Sequence, residues 1–91
     1  MNRSELVAAV ADRAGLTPQQ AQSALDATVE AIVTAVAGGA KVALPGFGTF
    51  EPRERGARTG RNPQTGATIE IPATRAPAFK PGAQFKERVR G

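Results

Sequence analysis

Apolar residues recur at helical spacing in the first forty or so positions and at alternating positions beyond them. Leu6, Val7, Val10 and Ala14 share a helical face. They come after Asn2-Arg3-Ser4-Glu5, where a capping residue stands three positions before an acid, the spacing of a capping box. Gly15 ends that run. Thr17-Pro18-Gln19-Gln20 opens a second helix, with Thr17 as cap, Pro18 at the first helical position and Gln20 closing the box. Ala21, Leu25, Thr28, Val29, Ile32, Val33 and Val36 form its apolar stripe, and Gly38-Gly39 stops it. A connection this short predicts a helical hairpin, and the small residues on both stripes let the backbones approach closely. These positions are expected to be core.

The period then changes to two. Lys41-Val42-Ala43-Leu44 reads as a strand, Pro45-Gly46 as a turn and Phe47-Gly48-Thr49-Phe50-Glu51 as the returning strand. The segment from Arg53 to Arg75 holds five arginines, no aromatic residue, and only Ile69 and Ile71 as large apolar groups. Its ends read as strands and its middle, around Pro63, as a turn. Such a segment cannot bury itself, so it is expected to project as a two-stranded arm with Pro63 at the tip. Thr68-Ile69-Glu70-Ile71 alternates on the return, with Pro72 and Pro77 interrupting an edge-like ribbon. Ala78-Phe79-Lys80 leads back to the body, and Pro81-Gly82 precedes a short helix from Ala83 to about Val89, with Phe85 and Val89 at i and i+4. The expected class is α+β: a helical hairpin, a three-stranded antiparallel sheet with a long β-ribbon arm, and a short C-terminal helix. One domain spans 1–91, with a helical base over 1–40, the sheet over 41–81 carrying the arm at about 52–75, and the last helix over 82–91.

Composition adds a constraint. With the arm set aside, fewer than seventy of the 91 residues remain for a core, many of the apolar ones are alanine, and there are four Phe and no Trp or Tyr. A core that thin rarely supplies more than roughly 3–5 kcal/mol without disulfides, metals or a second subunit. The chain has no Cys and no His, so an obligate dimer is expected. The lack of Cys is compatible with a reducing cytoplasm. No apolar run reaches membrane-spanning length and no signal-peptide pattern opens the chain, which is expected to be used as written.

Charge is divided unevenly within the total of +4. Residues 1–50 set Arg3, Arg13 and Lys41 against Glu5, Asp12, Asp26 and Glu30, a net −1; residues 51–91 set nine basic groups against Glu51, Glu54, Glu70 and Glu87, a net +5. The basic half is the arm and the chain beyond it. A polyanion is the expected partner, nucleic acid before anionic membrane.

Enzyme readings find no support. Without His, Cys or Tyr the usual general bases, thiol nucleophiles and soft-metal ligands are missing, and Ser4 and Ser23 lie on helices with no activating partner. Gly46-Phe47-Gly48 is too short for a phosphate-binding loop. No catalytic residue, metal, cofactor or small-molecule substrate is expected.

The arm has chemistry of its own. At about 3.3 Å per residue, ten or eleven residues a side reach roughly 30–35 Å. Arg53 and Arg55 share a face by alternation, Arg75 lies on the returning strand, and Arg58 and Arg61 sit nearer the tip. The planar guanidinium suits phosphate oxygens and acceptors on the minor-groove floor. Exclusive use of Arg in the arm reads either as functional choice or as codon bias in a chain rich in Ala, Gly and Arg. Pro63 also has two readings. Asn-Pro-x-x-Gly is good β-turn chemistry, and an exposed rigid ring at an arm tip can wedge between base pairs and kink a duplex. Single strands are disfavoured because the arm offers no aromatic stacking platform. Double-stranded RNA fits a slim ribbon poorly, its major groove being deep and narrow and its minor groove wide and shallow.

Three segments together, Gly46-Phe47-Gly48-x-Phe50, Gly60-Arg61-Asn62-Pro63-Gln64-Thr65-Gly66 and Pro77-Ala78-Phe79-Lys80-Pro81-Gly82, resemble the bacterial histone-like HU and integration host factor proteins, and the resemblance covers essentially the whole chain. That family is itself a standard example of wedge-bearing minor-groove binding, so the wedge reading of Pro63 is not independent of the resemblance. The resemblance implies an intertwined dimer with a helical base and two arms around the minor groove of bent double-stranded DNA. It implies Pro63 as intercalating tip with Arg61, Asn62 and Gln64 beside it; Arg53, Arg55, Arg58 and Arg75 along the arm and saddle; and Lys80, Lys86 and Arg3 on flanking phosphates. It places Leu44, Phe47, Phe50 and Phe79 at the dimer interface. Ala83 stands where many relatives are basic, as does the neighbourhood of Pro18, so fewer flanking contacts are implied. Glu54 and Glu70 either face away from DNA or pair with neighbouring arginines.

The expected role is therefore non-sequence-specific architectural bending and compaction of the bacterial chromosome by a cytoplasmic, nucleoid-associated homodimer, a heterodimer with a paralogue being the variant. The alternative within the class is a sequence-selective subunit of the integration-host-factor type. A protein partner embraced by the arms is the rival from another class, and it leaves Pro63 without a task.

Overall fold

The computed structural model describes all 91 residues and divides into two compact units, Met1–Thr34 and Ala35–Gly91. The first is built from helix α1 (Arg3–Ala14) and most of helix α2 (Pro18–Ala37). Both expected capping boxes form. Asn2 Oδ1 accepts from the Glu5 amide at 2.9 Å while Glu5 reaches back to the Asn2 amide, and Thr17 and Gln20 exchange the equivalent bonds at 3.1 and 2.9 Å. Gly15 ends α1 in the left-handed conformation, φ 68°, with Leu16 donating to Ala11. Arg3 and Asp26 form an ion pair that ties the start of α1 to α2.

The core of this unit is Val7, Ala11 and Ala21, with Val10, Leu16 and Leu25 packed on it. Ala21 is wholly inaccessible, as close backbone approach requires. The predicted apolar stripe of α2 is only partly core within the chain, since Val29 and Val33 remain 46% and 54% exposed. Length accounts for this: at 1.5 Å per residue α1, with 12 residues, covers about 18 Å of the roughly 30 Å that the 20 residues of α2 span.

In the second unit, strands β1 (Val42–Leu44), β2 (Gly48–Arg55) and β5 (Thr74–Pro81) form an antiparallel sheet in the order β1-β2-β5. The expected returning strand starts one residue late and runs further. Phe47 belongs to the turn, its amide donating to Leu44 at 2.9 Å, with Gly46 at φ 85°. Pro77 does not interrupt β5. It lies on the sheet edge opposite Pro52, beyond the end of β1, so neither ring removes a ladder donor that a neighbour needs. Helix α3 (Ala83–Arg90) comes next, its entry fixed by the Gly82 amide on the Phe47 carbonyl at 2.8 Å.

Register sorts the sheet into two faces. Gly48↔Pro81, Phe50↔Phe79 and Pro52↔Pro77 lie on one, with Val42 and Leu44 opposite Phe50 and Gly48. Phe47, Phe50, Phe79 and Phe85 cluster there, ring centroids 4.7 Å apart for Phe50–Phe79, 5.1 Å for Phe47–Phe79 and 5.3 Å for Phe47–Phe85. The cluster is open: Phe47 is 43% exposed and no large side chain anywhere in the chain is fully buried.

The opposite face carries Thr49, Glu51, Arg53 and Arg55, with Lys80 opposite Thr49. Glu51 is its centre. Only 9% of its side chain is accessible, and Lys80 Nζ at 3.1 Å, Lys41 Nζ at 3.4 Å and an Arg53 nitrogen at 4.0 Å surround it. The hydrogen bond from Lys80 is the main cause that holds its carboxyl below the ordinary value; partial desolvation opposes this, and Lys41 adds to it.

A Cβ at Gly48 would sit 2.6 Å from both the Lys80 carbonyl oxygen and the Phe79 ring, so Gly48→Ala should destabilise by about 1–3 kcal/mol in urea denaturation. Glu51, with its folded-state pKa lowered, stabilises above the unfolded carboxylate pKa, and this contribution disappears as pH falls through the folded value. The stability gap between wild type and Glu51→Gln should therefore be largest near neutrality and close on acidification, as read by denaturation at both pH values.

Candidate nucleic-acid interface

The ladder between β2 and β5 ends at Arg55↔Thr74. Gly56-Ala57 and Pro72-Ala73 then lie outside any strand, and β3 (Arg58–Arg61) pairs with β4 (Thr68–Ile71) as a separate two-stranded sheet. Pro72 has no amide to give the ladder, which accounts for the break. Arg58↔Ile71 continues the register of Arg55↔Thr74 with two residues left over on each strand, so the ribbon is interrupted without a bulge. From Pro52 to Arg61 it extends about 30 Å.

The tip, from Asn62 to Ala67, is closed by its own hydrogen bonds. The Asn62 amide donates to Ala67 at 2.8 Å, the Gly66 amide donates to the Asn62 carbonyl at 2.7 Å, and the Gln64 amide donates to Asn62 Oδ1 at 2.9 Å. Gly66 takes φ 72°, which the closure needs. The carboxamide oxygen of Asn62 is thereby committed to the turn, and Pro63 is held outward, exposed, between Asn62 and Gln64. Both readings of Pro63 thus describe the same atoms, a turn residue and a rigid apolar projection.

Along the arm the arginines differ in what they touch. Arg55, Arg58 and Arg61 are exposed and none has an acid within ion-pair distance; Arg53 is half-exposed at the margin of Glu51. Arg58 shares a face of β3–β4 with Ile69 and Ile71, and Arg61 shares the other with Thr59, Thr68 and Glu70. Ile71 lies over Gly60, where a Cβ would come within 3.2 Å of its δ-carbon. Glu70 and Glu54 make no ion pair.

Arg75 stands apart. It is opposite Glu54, on the face that Arg53 and Arg55 do not share, and its guanidinium donates to the Ala37 carbonyl at 2.9 Å. Lys80 shares the face of Arg53 and Arg55 through Glu51, and Lys86 is exposed on α3, at the rim of a shallow apolar groove of about 410 Å³ lined also by Phe79, Phe85 and Val89. Arg3 is engaged by Asp26. Sequence reasoning missed Lys41 and Glu51 as members of the basic face; the signal for Glu51 was present in the odd-numbered alternation from Thr49 to Arg55, whereas Lys41 reaches the face only through its ion pair with Glu51. Leu44, Phe50 and Phe79 do share one face, and Phe47 joins them from the turn.

Residues 1–90 match the family model described as bacterial DNA-binding protein. The chain is 57% identical over 89 residues to the DNA-binding protein HU-1 of Halalkalibacterium halodurans, covering 98% of this chain and 99% of that one. Among solved structures, an Anabaena HU–DNA cocrystal structure matches with a TM-score of 0.88 and 56% identity, over 98% of this chain and 97% of that one. HU from Thermotoga maritima matches with a TM-score of 0.68 and 34% identity, over 98% of each chain. A ribbon with three unpaired arginines and an outward proline at its tip is thus found in a chain that belongs to the bacterial DNA-binding protein family.

Proposed function

We infer that this chain is a non-sequence-specific, architectural double-stranded DNA-binding protein of the HU type, acting as a dimer that bends and compacts chromosomal DNA. The observation that carries the reading is the arm: Arg55, Arg58 and Arg61 project from a ribbon about 30 Å long whose tip holds Pro63 rigidly outward. No acid within the ribbon neutralises these three arginines, so their charge is available to phosphates and to minor-groove acceptors. The ribbon is too thin and too polar to have a core of its own, and a duplex groove supplies the surface it lacks.

Each part then has a task. Arg55 and Arg53 leave the sheet on the face that also bears Lys80 and Lys41, extending a basic track from body to arm. Arg61 and Gln64 flank Pro63 at the groove floor, and Asn62 serves chiefly as the clasp of the turn. Pro63 enters a base step; unstacking costs a few kcal/mol, offset by the longer contact a bent duplex makes with the body. Lys86 reaches flanking phosphate. The open Phe47, Phe50 and Phe79 cluster and the exposed Leu44 are covered by a second copy of the chain, which meets the need set by the thin core. The integration-host-factor reading is not favoured, since the similar relatives carry the HU name at 54–57% identity.

Gel-shift titration of short duplexes at several salt concentrations tests the reading. Log affinity should fall linearly with log salt, and Arg58→Ala or Arg61→Ala should flatten the slope by about 0.9 for each phosphate that is no longer neutralised. Unchanged slopes would remove the arm from binding. Nicked or pre-bent duplex should bind more tightly than intact duplex of unrelated sequence. Pro63→Ala should shrink the bend in an end-labelled duplex while leaving the salt slope nearly as in wild type.

A further inference from the structure

The C-terminus of α2 carries a demand that the helix does not meet itself. Its last turn contains no basic residue, and its final carbonyls lack intrahelical donors. Two of them are taken up by the next residues of the chain: the Ala40 amide donates to Ala35 at 2.9 Å and the Gly39 amide to Val36 at 3.0 Å, with Gly39 at φ 96°, a Schellman closure. The Ala37 carbonyl is left over. Arg75, 38 residues later in the sequence, donates to it at 2.9 Å, and its other terminal nitrogen lies 3.5 Å from where a Gly39 Cβ would stand. The guanidinium is thus laid across the helix end, bringing both a donor and the cation that the helix dipole favours there.

The place of Arg75 on the ribbon gives this contact its consequence. Arg75 pairs with Glu54, one step before the last rung of the β2–β5 ladder at Arg55↔Thr74, after which the pairing breaks. It is therefore the last side chain but one on β5 before the arm leaves the sheet. It also points to the face away from Arg53, Arg55 and Lys80, the side on which the basic track runs. A residue there is poorly placed to share a phosphate with that track and well placed to brace the root of the arm.

We propose that Arg75 is a positioning residue. It pins the arm root to the C-terminus of α2 and so sets the direction in which the arm meets the duplex, and it contributes no phosphate contact. This replaces the groove-lining role that family resemblance implies for it, and it rests on the DNA-bending reading given above.

Arg75→Ala and Arg75→Lys in the full chain, with Arg61→Ala as control, separate the two roles. Amide exchange of Gly39 and Ala40 without DNA should be about fivefold faster in Arg75→Ala, the factor that one net hydrogen bond contributes. It should be partly restored in Arg75→Lys, which keeps a donor and a charge. On an end-labelled duplex, Arg75→Ala should give a smaller mean bend with a salt slope equal to wild type, whereas Arg61→Ala flattens the slope. A slope flattened in Arg75→Ala by about the 0.9 of one phosphate contact would overturn the proposal. Unchanged exchange, or an unchanged bend, would overturn it equally. Absence of salt-dependent duplex binding in wild type would instead remove the DNA reading, and exchange at Gly39 and Ala40 would still decide whether the anchor exists.

Discussion

The antiparallel ladder between β2 and β5 is the interaction on which the second unit depends. Eight consecutive residue pairs, from Gly48↔Pro81 to Arg55↔Thr74, fix which side chains share a face, because alternation along a strand leaves no freedom once register is set. On the even-numbered side of β2 the ladder gathers Phe50, Phe79 and the three prolines Pro52, Pro77 and Pro81; on the odd-numbered side it gathers Glu51, Arg53, Arg55 and Lys80. A slip of one residue would place the phenylalanines among the cations. Gly48 helps to forbid that slip, since its backbone lies against the Lys80 carbonyl and the Phe79 ring, where no Cβ fits.

An acid at the centre of the basic face looks at first like a loss of useful charge. Its surroundings give a different account. Glu51 is nearly inaccessible while Lys41, Lys80 and Arg53 are more than half exposed, so one carboxylate holds three long cationic side chains at fixed points on the sheet. Without a shared counter-charge these groups would repel one another and lose definition of position. The cations are more than half exposed and screened by solvent, so each pair adds only modestly to the stability that Glu51 contributes, and the cluster also fixes arrangement. The arm beyond it carries no such acid in contact with its arginines, and the ribbon thus passes from a region of compensated charge to one of uncompensated charge toward the tip.

The apolar side shows the complementary incompleteness. Three apolar residues are buried in the whole chain, all in the helical unit, and the phenylalanine cluster is open to solvent. A helix of 20 residues beside one of 12 leaves Val29 and Val33 uncovered. Both units thus carry apolar surface beyond what one chain covers, as the scarcity of large apolar residues implies. Under the function proposed above, a second chain would cover the open core and a duplex would cover the arm.

Much of this was legible in the sequence because it is decided over short distances. The capping boxes at Asn2–Glu5 and Thr17–Gln20, the helix stops at Gly15 and Gly39, and the Asn62–Gly66 turn each depend on residues within five positions, and each formed as read. The unburied arginine-rich segment told of an arm for the same reason: a stretch whose only large apolar residues are Ile69 and Ile71 has too little to bury to fold inward. Tertiary structure decided the features that depend on residues far apart. It moved Phe47 into the turn, seated Pro77 against Pro52, and put Glu51 among three cations drawn from three segments. It also engaged Arg3 with Asp26 and turned Arg75 from the arm to the end of α2. Composition shows that arginines are present; only register and chain reversal determine which acid, carbonyl or open solvent each one meets.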